Sequence, residues 1–154
     1  MSTIDDIREV RALRARRDLT RVDYARTIRR LVKSGRITQT ELAEALNVSQ
    51  GSVSQLAKSV EEVPPRFSGA SPYEIAQRYA AGEIDHDQVV AQLTTWEYDV
   101  ADGSTDGIDS LMVDAPGAHT FDEVGRAYRE GLIDADIYNS ALDAVAGVGH
   151  PREA

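Results

Sequence analysis

The chain has 154 residues, 42% hydrophobic and 28% charged, the composition of an ordinary soluble globular protein of one domain or two very small ones. It has no Cys, no run near the ~18 apolar residues of a membrane span, and an N-terminus, MSTIDDIREVRALRARR, without the apolar stretch of a secretory signal. Disulfides, thiolate metal sites and a membrane partner are therefore set aside, and a cytoplasmic location is expected. The net charge of −9 is unevenly spread: residues 1–60 carry 12 Lys/Arg against 7 Asp/Glu, and residues 61–154 carry 5 against 19. A half at +5 beside a half at −14 points to a polyanion-binding region joined to an acidic one, although two solvated surfaces would read the same way.

A first helix is expected over residues 4–17, where Ile4, Ile7, Val10 and Leu13 recur at helical spacing and Arg8, Arg11, Arg14 and Arg17 run alongside. A second is expected over residues 21–34, with Tyr24, Ile28, Leu31 and Val32 inward and Gly35 as its stop. Thr38, with Glu41 three residues on, caps the next helix, and helices over residues 39–46 and 50–60 follow. Residues 63–70 include Pro64 and Pro65 and read as a linker, because proline removes a donor and fixes φ. Residues 97–119, rich in Gly, Asp and Ser, read as a long loop, and residues 147–154 as a frayed tail.

Residues 71–96 and 120–145 repeat one plan at an offset of 49. Seven positions are identical: Glu74/Glu123, Tyr79/Tyr128, Gly82/Gly131, Ile84/Ile133, Asp85/Asp134, Asp87/Asp136 and Leu93/Leu142. Each copy opens on a capping box (Ser71 with Glu74, Thr120 with Glu123), stops at Gly and restarts at a capping Asp. An internal duplication of a helical hairpin is expected. The similar stop and restart at Gly35, Ile37 and Thr38 follows equally well from what any tight helix-to-helix turn requires. The fold is thus expected to be all-α: a helix-turn-helix domain over residues 1–62, the linker, and an acidic domain of two related hairpins over residues 71–146.

The segment QTELAEALNVSQGSVSQLAK, residues 39–58, carries the motif. Ala43 is small where two helices cross, Asn47 tolerates the left-handed turn, and Val48 is expected to point back into the core. Ser49 caps the second helix, which Val53 and Leu56 anchor on Leu42, Ala43 and Leu46. Its outer positions (Gln50, Gly51, Ser52, Ser54, Gln55, Lys58) are polar or small and none is acidic, which suits an electronegative groove.

Over residues 20–62 the chain resembles helix-turn-helix transcription regulators, particularly the lambda-repressor-like group. The resemblance implies a second helix lying in the major groove of double-stranded DNA, with base contacts from its first turn. By position, Gln50 and Gln55 are candidates for base edges, and Ser52 and Ser54 for bases or phosphates. Gly51 departs from the usual side chain at its position. Gln39 would bond a phosphate and buttress Gln50. Further phosphate candidates are Thr38, Ser49, Lys58 and the cluster Arg26, Arg29, Arg30, Lys33 and Arg36, which would supply salt-dependent affinity.

Other signals carry less. His86 between Asp85 and Asp87 reads as helix capping, because the second hairpin has Ala135 in its place. Asp99, Asp102, Asp106 and Asp109 do not follow the order of a calcium loop. No nucleophile–base set or phosphate-cradling loop is present, so neither an enzyme nor a cofactor is expected. Tyr73, Tyr79, Trp96 and Tyr98 are core residues or a binding surface. The reading is a DNA-binding repressor, expected as a homodimer through the Ile4–Leu13 stripe or the hairpins, or else a monomer reading DNA twice. The alternatives are an antitoxin or adaptor whose acidic domain holds a partner protein, and a phage-type immunity repressor.

Overall fold

The computed structural model describes residues 2–100 and 119–149. Among them are seven helices and no strand: α1 (Thr3–Lys33), α2 (Gln39–Leu46), α3 (Gln50–Lys58), α4 (Pro72–Ala80), α5 (His86–Thr95), α6 (Asp122–Arg129) and α7 (Ala135–Gly149). The fold is all-α, as the hydrophobic periodicity indicates. Residues 101–118 of the expected loop and residues 150–154 of the expected tail lie outside the described residues, and Gly147 belongs to α7.

The first correction concerns α1. The two helices expected over residues 4–17 and 21–34 are one helix of 31 residues. Nothing between them breaks it: Asp18, Leu19 and Thr20 include neither Gly nor Pro, and the Thr20 hydroxyl donates to the Arg16 carbonyl one turn back at 2.7 Å. Ser2 caps its start, Asp5 and Asp6 lie in its first turn and Arg30 and Lys33 in its last, so both ends suit the helix dipole. Tyr24, expected inward, is 43% exposed.

Because α1 is continuous, it serves two cores. Its C-terminal half contributes Ile28 to a cluster with Leu42, Ala43 and Val53. Its middle packs Ala15 and Leu19 on Ala81 at the end of α4. Two arginines of α1 sit on the two hairpin turns. Arg16 Nε donates to the Ala81 carbonyl at 3.0 Å, and the Arg11 guanidinium lies so close to Gly131 that a Cβ there would fall 2.4 Å from it. Cations at helix C-termini are favoured by the partial negative charge of the last carbonyls.

The two hairpin turns share one hydrogen-bond pattern. After α4, the amides of Ala81, Gly82 and Glu83 bond to the carbonyls of Gln77, Tyr79 and Arg78; after α6, those of Glu130, Gly131 and Leu132 bond to Arg126, Tyr128 and Ala127. Gly82 and Gly131 both hold a left-handed φ, 83° and 74°, that lets the turn close. Gly35 shares the φ but not the last bond, since Ser34 Oγ bonds the Leu31 carbonyl and accepts from the Arg36 amide instead. The likeness at Gly35 is therefore local turn chemistry, whereas the two hairpin turns share all three bonds. Asp85 and Asp134 cap α5 and α7 as expected.

One cap does not form. Thr120, expected to cap α6, instead makes a bridge with Asp99, and α6 starts from Phe121 without a side-chain cap. The Glu123 carboxylate turns to His119. The hairpins share one core of Ile75, Val89, Leu93, Val124, Ala127, Ile137 and Ala141, with Tyr73, Tyr79, Trp96 and Tyr98 packed against it. Each large apolar side chain fully buried there contributes about 1.5–3 kcal/mol relative to exposure. The proline segment is seated on this core: Phe67 meets Trp96 edge-on, and Ser68 exchanges two hydrogen bonds with Gln92.

Candidate nucleic-acid interface

Every feature of the α2–α3 turn has a local cause. Thr38 Oγ1 accepts from the Glu41 amide and starts α2. Asn47 ends it at φ 54°, ψ 48°, the left-handed region that a non-glycine rarely occupies and that Asn tolerates best. The Val48 amide then bonds back to the Ala43 carbonyl. Ser49 Oγ accepts from the Ser52 amide at 3.0 Å and starts α3. Val53 is fully buried between Ile28, Leu42 and Ala43, and Leu56 packs at the edge of that cluster.

Val48 and Leu46 depart from expectation: they are 41% and 37% exposed. Leu46 is the last residue of α2, just before the left-handed step at Asn47, and neither it nor Val48 belongs to the cluster of Ile28, Leu42, Ala43 and Val53.

α3 presents Gln50, Gly51, Gln55 and Lys58 to solvent, with Ser52 and Ser54 half-buried. A Cβ at Gly51 would meet only Ser49 Oγ, at 3.8 Å, so packing does not require glycine there. The Gln50 amide nitrogen donates to the Thr40 hydroxyl. The buttress expected from Gln39 thus comes from its neighbour, and Gln39 itself is half-buried at the first position of α2. Thr40 had no signal of its own in the sequence.

The basic cluster divides into two groups. Arg26 is held inside the molecule, with both guanidinium nitrogens on Glu74 at 2.9 and 3.1 Å and two further bonds to the Glu61 carbonyl. Arg29 donates to the Ala57 carbonyl at the end of α3, and Lys33 pairs with Glu62 at 3.0 Å. Lys33, by hydrogen bond and charge, and Arg29 together hold the Glu62 carboxyl below its ordinary value. Arg30, Arg36 and Lys58 enter no ion pair among the described residues. Thr38 and Ser49 are exposed at the starts of α2 and α3, where backbone N–H groups favour anions.

Residues 26–62 match the winged helix-turn-helix DNA-binding family. Over this stretch, about a quarter of the chain, the protein is similar to helix-turn-helix DNA-binding domains. The matched stretch runs from the last turns of α1 to just past α3. What it has in common with the lambda-repressor-like resemblance is the helix-turn-helix itself. No curated protein and no solved structure matches the chain. Among the described residues no helix is long and apolar enough to cross a membrane.

The segment leaving α3 is braced from the hairpin side. His119 Nε2 meets Glu61 at 2.9 Å and Nδ1 meets Glu123 at 2.8 Å, with the ring edge-on to Trp96. Burial works against the charged ring, but the hydrogen bonds to Glu61 and Glu123 outweigh it and hold the His119 pKa above the ordinary 6.5. A pKa raised by folding gives stability that is fully present below the unfolded value and lost as pH rises through the folded one. Wild type is therefore expected to lose stability relative to His119→Gln as pH rises from below the ordinary imidazole value through the raised folded one, in urea titrations. Parallel pH profiles of the two proteins would refute the brace.

Proposed function

We propose that the chain is a sequence-specific transcriptional regulator, acting as a repressor, that lays α3 in the major groove of double-stranded DNA. The observation that carries this reading is the solvent face of α3: in a chain of net charge −9, it holds amides, hydroxyls and Lys58 and no carboxylate. Gln50, oriented by Thr40, and Gln55 would read base edges, each bidentate contact to adenine discriminating by about 1–3 kcal/mol. Arg30, Arg36 and Lys58, together with the starts of α2 and α3, would hold phosphates. Arg26 and Arg29 support the unit from behind.

A salt titration on duplex from the chain's own upstream region, against scrambled duplex of equal length, tests the proposal. A preference on the order of a thousandfold or more is expected. Gln50→Ala should lose about 1–3 kcal/mol on the specific duplex and relax one base position. Arg36→Ala should weaken both duplexes alike and lower the salt slope by about 1. Equal binding to both duplexes would move the activity to the hairpins, whose part of the chain carries −14, as an antitoxin or adaptor surface for a basic protein.

A further inference from the structure

We propose that residues 3–17 of α1 form an antiparallel pair with the same segment of a second copy of this chain. Ile7, Val10 and Leu13 are 45%, 65% and 54% exposed. At 3.6 residues per turn, Thr3, Asp6, Ile7, Val10, Leu13, Arg14 and Arg17 fall on one arc of roughly 120° centred on Val10. The arc lies across the helix from the buried Ala15 and Leu19, so the chain's own body does not cover it. Ile4, 70% exposed, does not belong to it: it lies about 120° round the helix from Val10 and lines a separate open groove with Tyr79 and Ile84. A shallow groove along the arc is lined by Asp6, Ile7, Val10, Arg11, Arg14 and Glu130.

The arc is complementary to itself. A twofold axis at Val10 sets Val10 on Val10, Ile7 on Leu13, Asp6 on Arg14 and Thr3 on Arg17. Every apolar side chain then meets an apolar one, and each carboxylate meets a guanidinium, twice per dimer. A parallel pair would set Asp6 on Asp6 and Arg14 on Arg14. Charges flanking a helical seam select orientation in this way, and a twofold contact uses the same patch on both copies. Neither Asp6 nor Arg14 is in an ion pair among the described residues, so both are available.

This inference does not rest on DNA binding, and its test contains no DNA. Sedimentation equilibrium of the full chain over a concentration series should show a monomer–dimer equilibrium. Val10→Asp should be monomeric with unchanged helicity, and should melt as wild type does at concentrations where wild type is monomeric, because Val10 is already exposed in the single copy. Asp6→Arg and Arg14→Asp should each weaken dimerisation at least about tenfold by setting like charges together, and the two combined should restore it. A wild-type chain monomeric at every concentration, a dimeric Val10→Asp, or a double variant no tighter than the singles would each overturn the proposal.

Discussion

Val53→Asp is expected to melt the helix-turn-helix while the hairpin core stays folded. Val53 has no exposed surface and sits between Ile28, Leu42 and Ala43, with Val32, Ile37, Leu56 and Ala57 around them. No donor among these side chains can pair with a carboxylate. The group must either stay charged in an apolar site or take up a proton, and each route costs several kcal/mol. A loss of about 4 kcal/mol or more is expected, the range reserved for buried unpaired charges and comparable defects. Val53→Thr keeps the shape and replaces one methyl with a hydroxyl, so it should lose about 1–3 kcal/mol and stay folded. The single Trp lets the two halves be followed separately, because Trp96 packs against Phe67 and the hairpin core and not against Val53. Helicity should fall while Trp96 emission holds, and specific DNA binding should vanish. A folded Val53→Asp variant with wild-type affinity would mean that α3 is not anchored through this residue.

The parts of this fold that could be read in the sequence are those written locally. Gly35, Gly82 and Gly131 each stand before an apolar residue and a cap, and each turn forms where that order places it. Asn47 and Ser49 mark the α2–α3 turn because each does its work within a few residues. The likeness of the two hairpins was readable because an offset of 49 keeps the Gly stop and the restarting Asp cap in step, Gly82 with Gly131 and Asp85 with Asp134. What escaped is what depends on distance or phase. Ile4, Ile7, Val10 and Leu13 step by three, so each lies about 60° behind the last and no single core can take all four. The inward phase of that stretch is carried by Ala15 and Leu19, residues too ordinary to attract notice. Thr120 gave up its cap to a bridge with Asp99 across a gap that spacing cannot predict. At the candidate interface the same division holds: Gln50 was legible on α3, but Thr40, which orients it, is known only once the helices are packed.

Arg26 is held by Glu74, a partner 48 residues away, and a second large effect is expected there. Glu74 is nearly buried and holds two guanidiniums, both nitrogens of Arg26 and, at 3.2 Å, Arg78. Arg78 in turn grips Asp23 of α1 at 2.7 and 3.0 Å and also Glu83. The Arg78 hydrogen bond is the main reason the Asp23 carboxyl lies below its ordinary value, so this contribution persists until pH falls through that lowered value. Gly69 leaves the space that Glu74 needs, since a Cβ there would lie 2.9 Å from the Glu74 Cβ. The network ties α1, α4 and the segment after α3 into one frame, so the helix-turn-helix is held to the hairpins by charge as well as by α1. Glu74→Ala leaves Arg26 without its carboxylate, part-buried beside Arg78, which keeps Asp23 and Glu83. It should cost about 3–5 kcal/mol, as removal of one partner from a buried pair does. Arg26→Ala should destabilise through the same network, leaving Glu74 with Arg78 alone. Its effect on DNA binding should follow the unfolded fraction, with the salt slope unchanged under conditions where the protein is folded, whereas Arg36→Ala should lower the slope by about 1 without lowering the melting temperature. Arg26→Ala that stays as stable as wild type and lowers the salt slope would return Arg26 to the DNA and take Glu74 out of the frame.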